Sequence, residues 1–167
     1  MAADNWIKAH YLDASALVML FLDEPGSDAV RDYFYGEANF CTTTLCLAEA
    51  LGVFKRKWNR SQLTMDGYFS ASERLVVSVW GEKPKLDDLG LYQPGIHSEV
   101  ELMAKQHTLD LSDALQLLTI KRGYFSGLSG PSSSVLITGD AGLETAASAE
   151  GIRVWNCKAD RKPSWNL

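Results

Sequence analysis

An aspartate that directly follows a short apolar stretch is the first candidate for chemistry in this sequence. Tyr11 and Leu12 are typical of the end of a buried strand, and Asp13 precedes a helix-forming run over 14–22. In α/β proteins, ligands bind in the crevice at the carboxyl ends of the strands. Asp13 is therefore a candidate metal ligand, although aspartate is also a favoured helix N-cap.

Two further acids occupy similar positions on distant segments. Asp140 follows the apolar stretch 135–138 and precedes a helical run, and Asp113 lies near the start of another predicted helix. Each could be a capping residue instead, Asp113 as the reciprocal acid of a capping box that begins at Asp110. Capping also accounts for Asp110, and the sequence leaves open whether Asp110 joins the other acids.

Glu49 is harder to explain by local structure. It is the only charged residue in 45–54, and a lone carboxylate on an apolar helix face is costly to bury unless a cation compensates it. The alternatives are that it points out through a gap in the core or pairs with a basic residue. No basic residue precedes it from position 32 onward, and Lys55 and Arg56 follow more than one helical turn away.

These four acids together indicate a metal site. Oxygen ligands suit Mg²⁺ or Mn²⁺, and the absence of nearby Cys and His pairs argues against zinc. Ser15 and Thr138 lie two residues from Asp13 and Asp140, where hydroxyl groups could orient the carboxylates or a bound water. Ordinary capping and strand propensity explain these two hydroxyls equally well.

The bulk properties restrict the class of protein. The chain has 167 residues and a net charge of -5, which favours one domain over 1–167, with a core at about 9–156 and a tail at 157–167. The acidic balance argues against coating nucleic acid by charge alone, but an acidic site becomes locally cationic when it binds metal. We expect neither a signal peptide nor a membrane span from the sequence, and therefore expect a cytoplasmic protein.

The cysteines and histidines do not form a recognisable site. The three cysteines have no metal-ligand spacing and lie in apolar contexts, so we expect buried thiols at Cys41, Cys46 and Cys157. We expect His10 in or beside the first strand, and His97 and His107 on a solvated helix.

Short apolar segments alternate with helical ones along the chain. Predicted strands cover 10–12, 39–44, 86–92, 135–138 and 152–155, and predicted helices cover 14–22, 28–35, 45–58, 61–79, 96–106, 111–121 and 141–150. Ser27 and Thr44 are the expected N-caps of the second and third helices. The alternation predicts an α/β fold with a parallel sheet flanked by helices. The many Gly and Ser residues at 123–134 predict an irregular loop there.

Four motifs carry the acids: Tyr-Leu-Asp-Ala-Ser at 11–15, Thr-Thr-Leu-Cys-Leu-Ala-Glu at 43–49, Leu-Asp-Leu-Ser-Asp-Ala-Leu at 109–115 and Leu-Ile-Thr-Gly-Asp at 136–140. In this order they resemble PIN-domain nucleases, especially the toxin component of VapBC toxin–antitoxin pairs. The resemblance covers about residues 9–156. It implies a three-layer α/β/α fold and a metal-dependent ribonuclease. The metal-site acids would be Asp13, Glu49, Asp113 and Asp140, supported by Ser15 and Thr138.

The sequence departs from a compact toxin of this type by extra length at 79–95 and 123–134 and by few basic residues near the site. We expect an endonuclease that uses Mg²⁺ or Mn²⁺ to hydrolyse phosphodiester bonds in RNA. Its RNA contacts would come from Lys55, Arg56, Lys57, Arg60, Lys121 and Arg122, which could equally be solvated helix ends.

Other functions and partners follow from the same pattern. One alternative is an RNA-binding or regulatory module of the same fold with little or no turnover. A phosphatase with Asp13 as nucleophile is disfavoured, because residue 15 is Ser where an Asp-x-Asp opening is expected. A toxin would have a small antitoxin partner whose tail enters the acidic cleft, and exposed apolar surface on the first helices would favour a homodimer.

Overall fold

A computed structural model of the protein describes residues 7–128 and 132–159. Its five strands form one sheet in which every pair of neighbours is parallel. They are β1 (Lys8–Leu12), β2 (Phe40–Thr42), β3 (Lys85–Leu86), β4 (Ser133–Thr138) and β5 (Arg153–Asn156). The helices of the described residues are α1 (Ala14–Phe21), α2 (Ser27–Gly36), α3 (Thr44–Asn59), α4 (Met65–Trp80), α5 (Pro94–His107), α6 (Leu111–Arg122) and α7 (Ala141–Ala149). The predicted α/β/α class with a central parallel sheet is confirmed.

The order of the strands determines where a site can form. The sheet runs β3-β2-β1-β4-β5, so the chain winds outward from β1 through β2 to β3 and then returns to place β4 on the other side of β1. In open parallel sheets, ligands bind where the winding direction changes. This switch point lies between the carboxyl ends of β1 and β4. Asp13 directly follows β1, and Asp140 lies two residues after the end of β4.

Both faces of the sheet are buried. Leu12 and Ile137 pack in one apolar cluster with residues of α1–α4, whereas their neighbours Tyr11 and Leu136 pack in another against α6 and α7. Successive strand residues point to opposite faces, so a strand covered on both sides is a continuous apolar run. That is why 135–138 is readable as a buried strand from sequence.

Several predicted boundaries are wrong. Gly26, with φ of 91°, precedes α2, so Ser27 is not its N-cap but its first residue, and the Ser27 hydroxyl donates to the Leu22 carbonyl. Thr43, not Thr44, caps α3 by accepting from Cys46 N. Thr64 caps α4, which therefore begins later than predicted.

The predicted strand over 86–92 is also mostly wrong. Only Lys85–Leu86 pairs with β2. Beyond it, the Asp87 carboxylate turns inward and accepts from the buried Tyr11 hydroxyl at 2.6 Å. Residues 88–93 form a loop instead, and α5 begins at Pro94.

The three cysteines are buried free thiols, as predicted. His10 lies in β1, as predicted, and is buried. His107 is not solvated, because its Nε2 lies 2.7 Å from Glu150 Oε1 and only 11% of its side chain is exposed. No helix in the described ranges is long and apolar enough to cross a bilayer.

Parts of two predicted segments lie outside the described residues: 129–131 of the loop at 123–134, and 160–167 of the tail. Within that loop, Ser133 and Ser134 belong to β4.

Candidate active site at the carboxyl edge of the sheet

The backbone at Asp13 is held by three other elements. Asp13 N donates to the Ile137 carbonyl in β4 at 3.2 Å. The carbonyl of Leu12 accepts from Thr42 Oγ1 of β2 at 2.8 Å and from Gln116 Nε2 of α6 at 3.0 Å. Neither of these positioning residues is predicted from the sequence. The one available signal was Gln116, a polar residue inside the apolar run of α6.

The carboxylate of Asp13 is buried and hydrogen-bonded. It is 4% exposed, and its Oδ1 accepts from Ala16 N at 2.7 Å and from Ser15 Oγ at 2.8 Å. Its Oδ2 accepts from Thr138 Oγ1 at 2.5 Å. Both hydroxyls singled out from the sequence therefore contact Asp13, and they restrict its carboxylate to one orientation.

The same two hydroxyls connect the ends of β1 and β4. Ser15 Oγ accepts from Gly139 N at 2.7 Å, and Thr138 Oγ1 accepts from Asp140 N at 2.9 Å. Asp140 itself is exposed and caps α7 through Leu143 N at 2.8 Å. Asp140 can therefore cap α7 and also belong to the acidic group.

Asp113 does not cap its own helix. Asp110 Oδ1 accepts from Asp113 N at 2.9 Å, so capping does account for Asp110. The carboxyl group of Asp113 is half-buried on α6, and Glu49 is half-buried on α3.

The four acids act on one another electrostatically. The pKa of Asp113 is raised to about 7, mainly by burial and then by the negative charges of Asp110, Asp13, Asp140 and Glu49, in that order. Burial also raises the pKa of Asp13, against the lowering effect of its hydrogen bonds, and Asp140 adds to the rise. The fold thus brings the four predicted acids into a single negative field.

Among the described residues, no ion pair neutralises this group. In residues 7–128 and 132–159, the ion pairs involve other acids, and none includes Asp13, Glu49, Asp113 or Asp140. Half-buried carboxylates that repel each other and lack a cationic partner raise the free energy of the fold. A bound divalent cation would remove that cost.

The candidate ligand atoms are of the chemical type that binds a hard cation, but their positions are too far apart to bind one ion. All the candidate ligands are carboxylate oxygens, the ligands that Mg²⁺ and Mn²⁺ prefer. Among the described residues, however, no three His, Cys, Asp or Glu side chains converge closely enough to hold one ion. Binding would therefore require the more exposed acids, Glu49, Asp113 and Asp140, to rotate towards the fixed Asp13.

The predicted RNA-contacting residues lie away from the acids. Helices α3 and α6, which carry these residues, start at the carboxyl edge of the sheet and run away from it. At ~1.5 Å per residue, Lys55 therefore lies about 9 Å and Arg60 about 16 Å beyond Glu49 along the α3 axis. At the far end of α6, Lys121 pairs with Glu150 and Arg122 with Glu99.

The other basic residues of α3 also have local partners or lie further out. Lys57 pairs with Glu24 at 2.7 Å, and the Lys55 ammonium lies 3.6 Å from the centre of the Trp58 ring. Arg56 is exposed on the outer half of α3. None of these contacts directs a positive charge towards the acidic group.

A lysine of the predicted tail lies much closer to the acids. The methylene groups of Lys158 cover Gly139, where an added Cβ would lie 2.7 Å from Lys158 Cε. Asn156 Oδ1 accepts from Lys158 N at 3.1 Å, and Asn156 is itself tied to Glu144 of α7. No local pattern signals this position, because it depends on β5 ending beside β4.

Comparisons with known proteins bear on the fold only. No family model matches the chain, and no curated protein matches it. Among solved structures, PAE2754 from Pyrobaculum aerophilum is similar, with a TM-score of 0.56 and 22% identity over 83% of this chain and 84% of that chain. A likeness at this identity supports the α/β/α architecture and leaves the function to the site.

Proposed function

We propose that this protein is a Mg²⁺- or Mn²⁺-dependent ribonuclease of the PIN type, which cleaves phosphodiester bonds within RNA. The observation that carries the proposal is the uncompensated acidic group at the switch point of the sheet. It combines a buried Asp13 with Asp113, whose pKa is raised to about 7 by burial and by the other acids. Groups with such shifts in a cleft are candidates for function.

The residues that would hold the metal are Asp13, Glu49, Asp113 and Asp140. A divalent ion bound there would supply positive charge for the phosphate and lower the pKa of a bound water. The chain itself contributes orientation: Ser15 and Thr138 hold the Asp13 carboxylate by hydrogen bonds, and these bonds also favour its ionised form against burial.

The test is cleavage of a labelled single-stranded RNA in Mg²⁺ or Mn²⁺ by the wild type and by Asp13→Asn. We expect loss of cleavage in the variant, because the central carboxylate is removed while its shape is retained. Asp32→Asn, which removes an exposed acid from α2, is the matched control and should cleave normally. If Asp13→Asn cuts RNA as fast as the wild type, the acidic group is not the active site.

Metal binding needs its own measurement. We expect Mn²⁺ to raise the thermal unfolding temperature of the wild type and of Asp32→Asn, and to raise it much less in Asp13→Asn. This separates a failure to bind metal from a failure of catalysis.

A second candidate is a non-catalytic RNA-binding module of the same fold. It is favoured by one observation: the described acids do not converge on a single point. Intact RNA at high protein concentration, together with a shift in its electrophoretic mobility, would support this candidate over the ribonuclease.

The proposal extends to partners and location. As a toxin of the VapBC type, the protein would act in the cytoplasm and bind a small antitoxin, whose Arg side chain could pair with the site carboxylates. Exposed apolar side chains on α4, Met65, Phe69, Val77 and Trp80, could serve a homodimer. Copurification with the product of an adjacent short reading frame would support the toxin role.

A further inference from the structure

A cavity of about 370 Å³ opens at the same edge of the sheet as the acids. It lies between the first turn of α3, the helix α6 and the loop 88–93. Because β2 and β3 run parallel to β1, the residues that follow them reach the edge where Asp13 lies. Leu45 precedes Glu49 by about one helical turn, and Leu115 follows Asp113 by two residues. The two helices that carry these acids therefore also form the cavity walls.

The floor of this cavity is apolar and anchored. Leu45, Leu89 and Leu91 pack against the core cluster that includes Leu115 and Val100. The loop is fixed to α3 at its start, since Asp88 Oδ2 accepts from Thr44 N at 2.7 Å. It closes in a turn in which Gln93 N donates to the Gly90 carbonyl at 2.9 Å.

The rim of the cavity carries an exposed aromatic ring. Tyr92 is 88% exposed. A Cβ on Gly90 would lie 3.2 Å from Tyr92 Cε1 and 3.2 Å from Gln93 Nε2, and Gly90 has φ of 72°. The glycine thus allows the Tyr92 ring and the Gln93 amide to approach the loop backbone side by side.

The chemistry of the lining distinguishes between ligands. No Lys or Arg is among the described lining residues, and Asp88 is acidic, so a phosphate group is a poor occupant. A flat apolar ring system with polar edges is a good one. Nucleobases stack on aromatic side chains and form hydrogen bonds at their edges with amide and carboxylate groups.

We propose that this cavity, the base pocket, binds one unpaired base of a single-stranded RNA whose backbone passes the acidic group. Tyr92 stacks on the base, and Gln93 and Asp88 form hydrogen bonds with its edge. The location next to a cleaved phosphodiester rests on the proposed ribonuclease function. The binding of a base in the pocket does not depend on that function, and it is measured without RNA cleavage.

The experiment is fluorescence anisotropy with a labelled eight-nucleotide RNA of mixed sequence, in Ca²⁺ so that the carboxylates are neutralised, with a gel after each measurement to verify that the RNA is intact. We expect Tyr92→Ala to raise Kd about 5- to 100-fold, the range for loss of one stacked base. Tyr92→Phe, which keeps the ring, should bind within about two-fold of the wild type. Tyr124→Ala removes another exposed tyrosine, 71% exposed and outside the cavity, and should leave Kd unchanged.

The outcomes separate this proposal from the ribonuclease. If RNA binds but Tyr92→Ala leaves Kd unchanged, the base pocket is refuted, whatever Asp13→Asn does to cleavage. If binding depends on Tyr92 but the wild type does not cleave RNA, the pocket stands and the ribonuclease fails. If adenosine monophosphate binds as tightly as the eight-mer, the pocket is a site for free nucleotides and the RNA proposal is overturned. Wild type that binds no RNA refutes it as well.

Discussion

Replacing Asp113 with Asn should stabilise the metal-free protein, and more so at high pH. The raised pKa means that the folded state holds the Asp113 proton more tightly than the unfolded chain, where the pKa is near 3.8. For an acid with a raised folded pKa, the penalty is absent below pH 3.8, grows as pH rises, and is complete above about pH 7.

The size of this effect follows from the shift. A rise from 3.8 to about 7 costs about 4 kcal/mol when the group is ionised at pH 8, and about 2 kcal/mol at pH 5. Asp113 is only half-buried, and water screens part of the repulsion, so we expect about half of each value. Asp113→Asn should therefore stabilise by about 2 kcal/mol at pH 8 and about 1 kcal/mol at pH 5.

The assay is urea unfolding followed by tryptophan fluorescence, in EDTA, from pH 5 to 8. The free energy of the variant minus that of the wild type is the relevant quantity, because other groups such as His10 give the wild type its own pH dependence. Asp32→Asn is the control, since it makes the same change in net charge at an exposed position. Its difference from the wild type should be small at every pH.

A flat difference for Asp113→Asn, equal to that for Asp32→Asn, would refute the reasoning. Asp113 would then not lie in a repulsive group, and the metal proposal would lose the observation on which it depends. Added Mn²⁺ gives a further check, since it should reduce the advantage of the variant at pH 8 by neutralising the wild-type acids.

Two further predictions concern single residues. Lys158→Gln should raise KM for RNA and reduce the salt dependence of KM by about one phosphate contact. Lys158→Arg should keep the wild-type KM and salt dependence, and Arg60→Gln, at the far end of α3, should change them less than Lys158→Gln does. Equal effects of Lys158→Gln and Arg60→Gln would contradict this prediction. His10 is buried and neutral, with its pKa lowered by burial from 6.5 to about 4. The stability that depends on neutral His10 is therefore fully present above pH 6.5 and is lost as pH falls towards 4. Between pH 7 and 5 this loss lowers the free energy of unfolding by about 2 kcal/mol. His10→Gln should lose correspondingly less stability over that range in urea unfolding, and an unchanged pH profile would contradict the assignment.

Local patterns predicted most of the secondary structure. Strand β4 and helices α1, α6 and α7 are within two residues of their predicted bounds, because an apolar run and a capping aspartate act over a few neighbouring residues. The predictions failed where a tertiary contact decides the conformation. The strand predicted over 86–92 is the example: its Asp87 instead bonds to Tyr11, which lies far away in the chain.

For the site, the sequence by itself determined which residues are acidic and which of them follow strands or begin helices. It also determined that Glu49 lacks a basic neighbour. Those properties are local, and they suffice to nominate Asp13, Asp140, Asp113 and Glu49 as a group. What they cannot determine is proximity, because residues 13 and 140 meet only if β4 returns to pair with β1.

The tertiary structure decided that arrangement and what surrounds it. The strand order places Asp13 and Asp140 at the switch point, and packing across the sheet brings Gln116 and Thr42 to the Leu12 carbonyl. It also turns the basic ends of α3 and α6 away from the acids. The physical reason is that these contacts join segments separated by tens of residues, where side-chain packing and the pairing of strands, not local propensity, set the geometry.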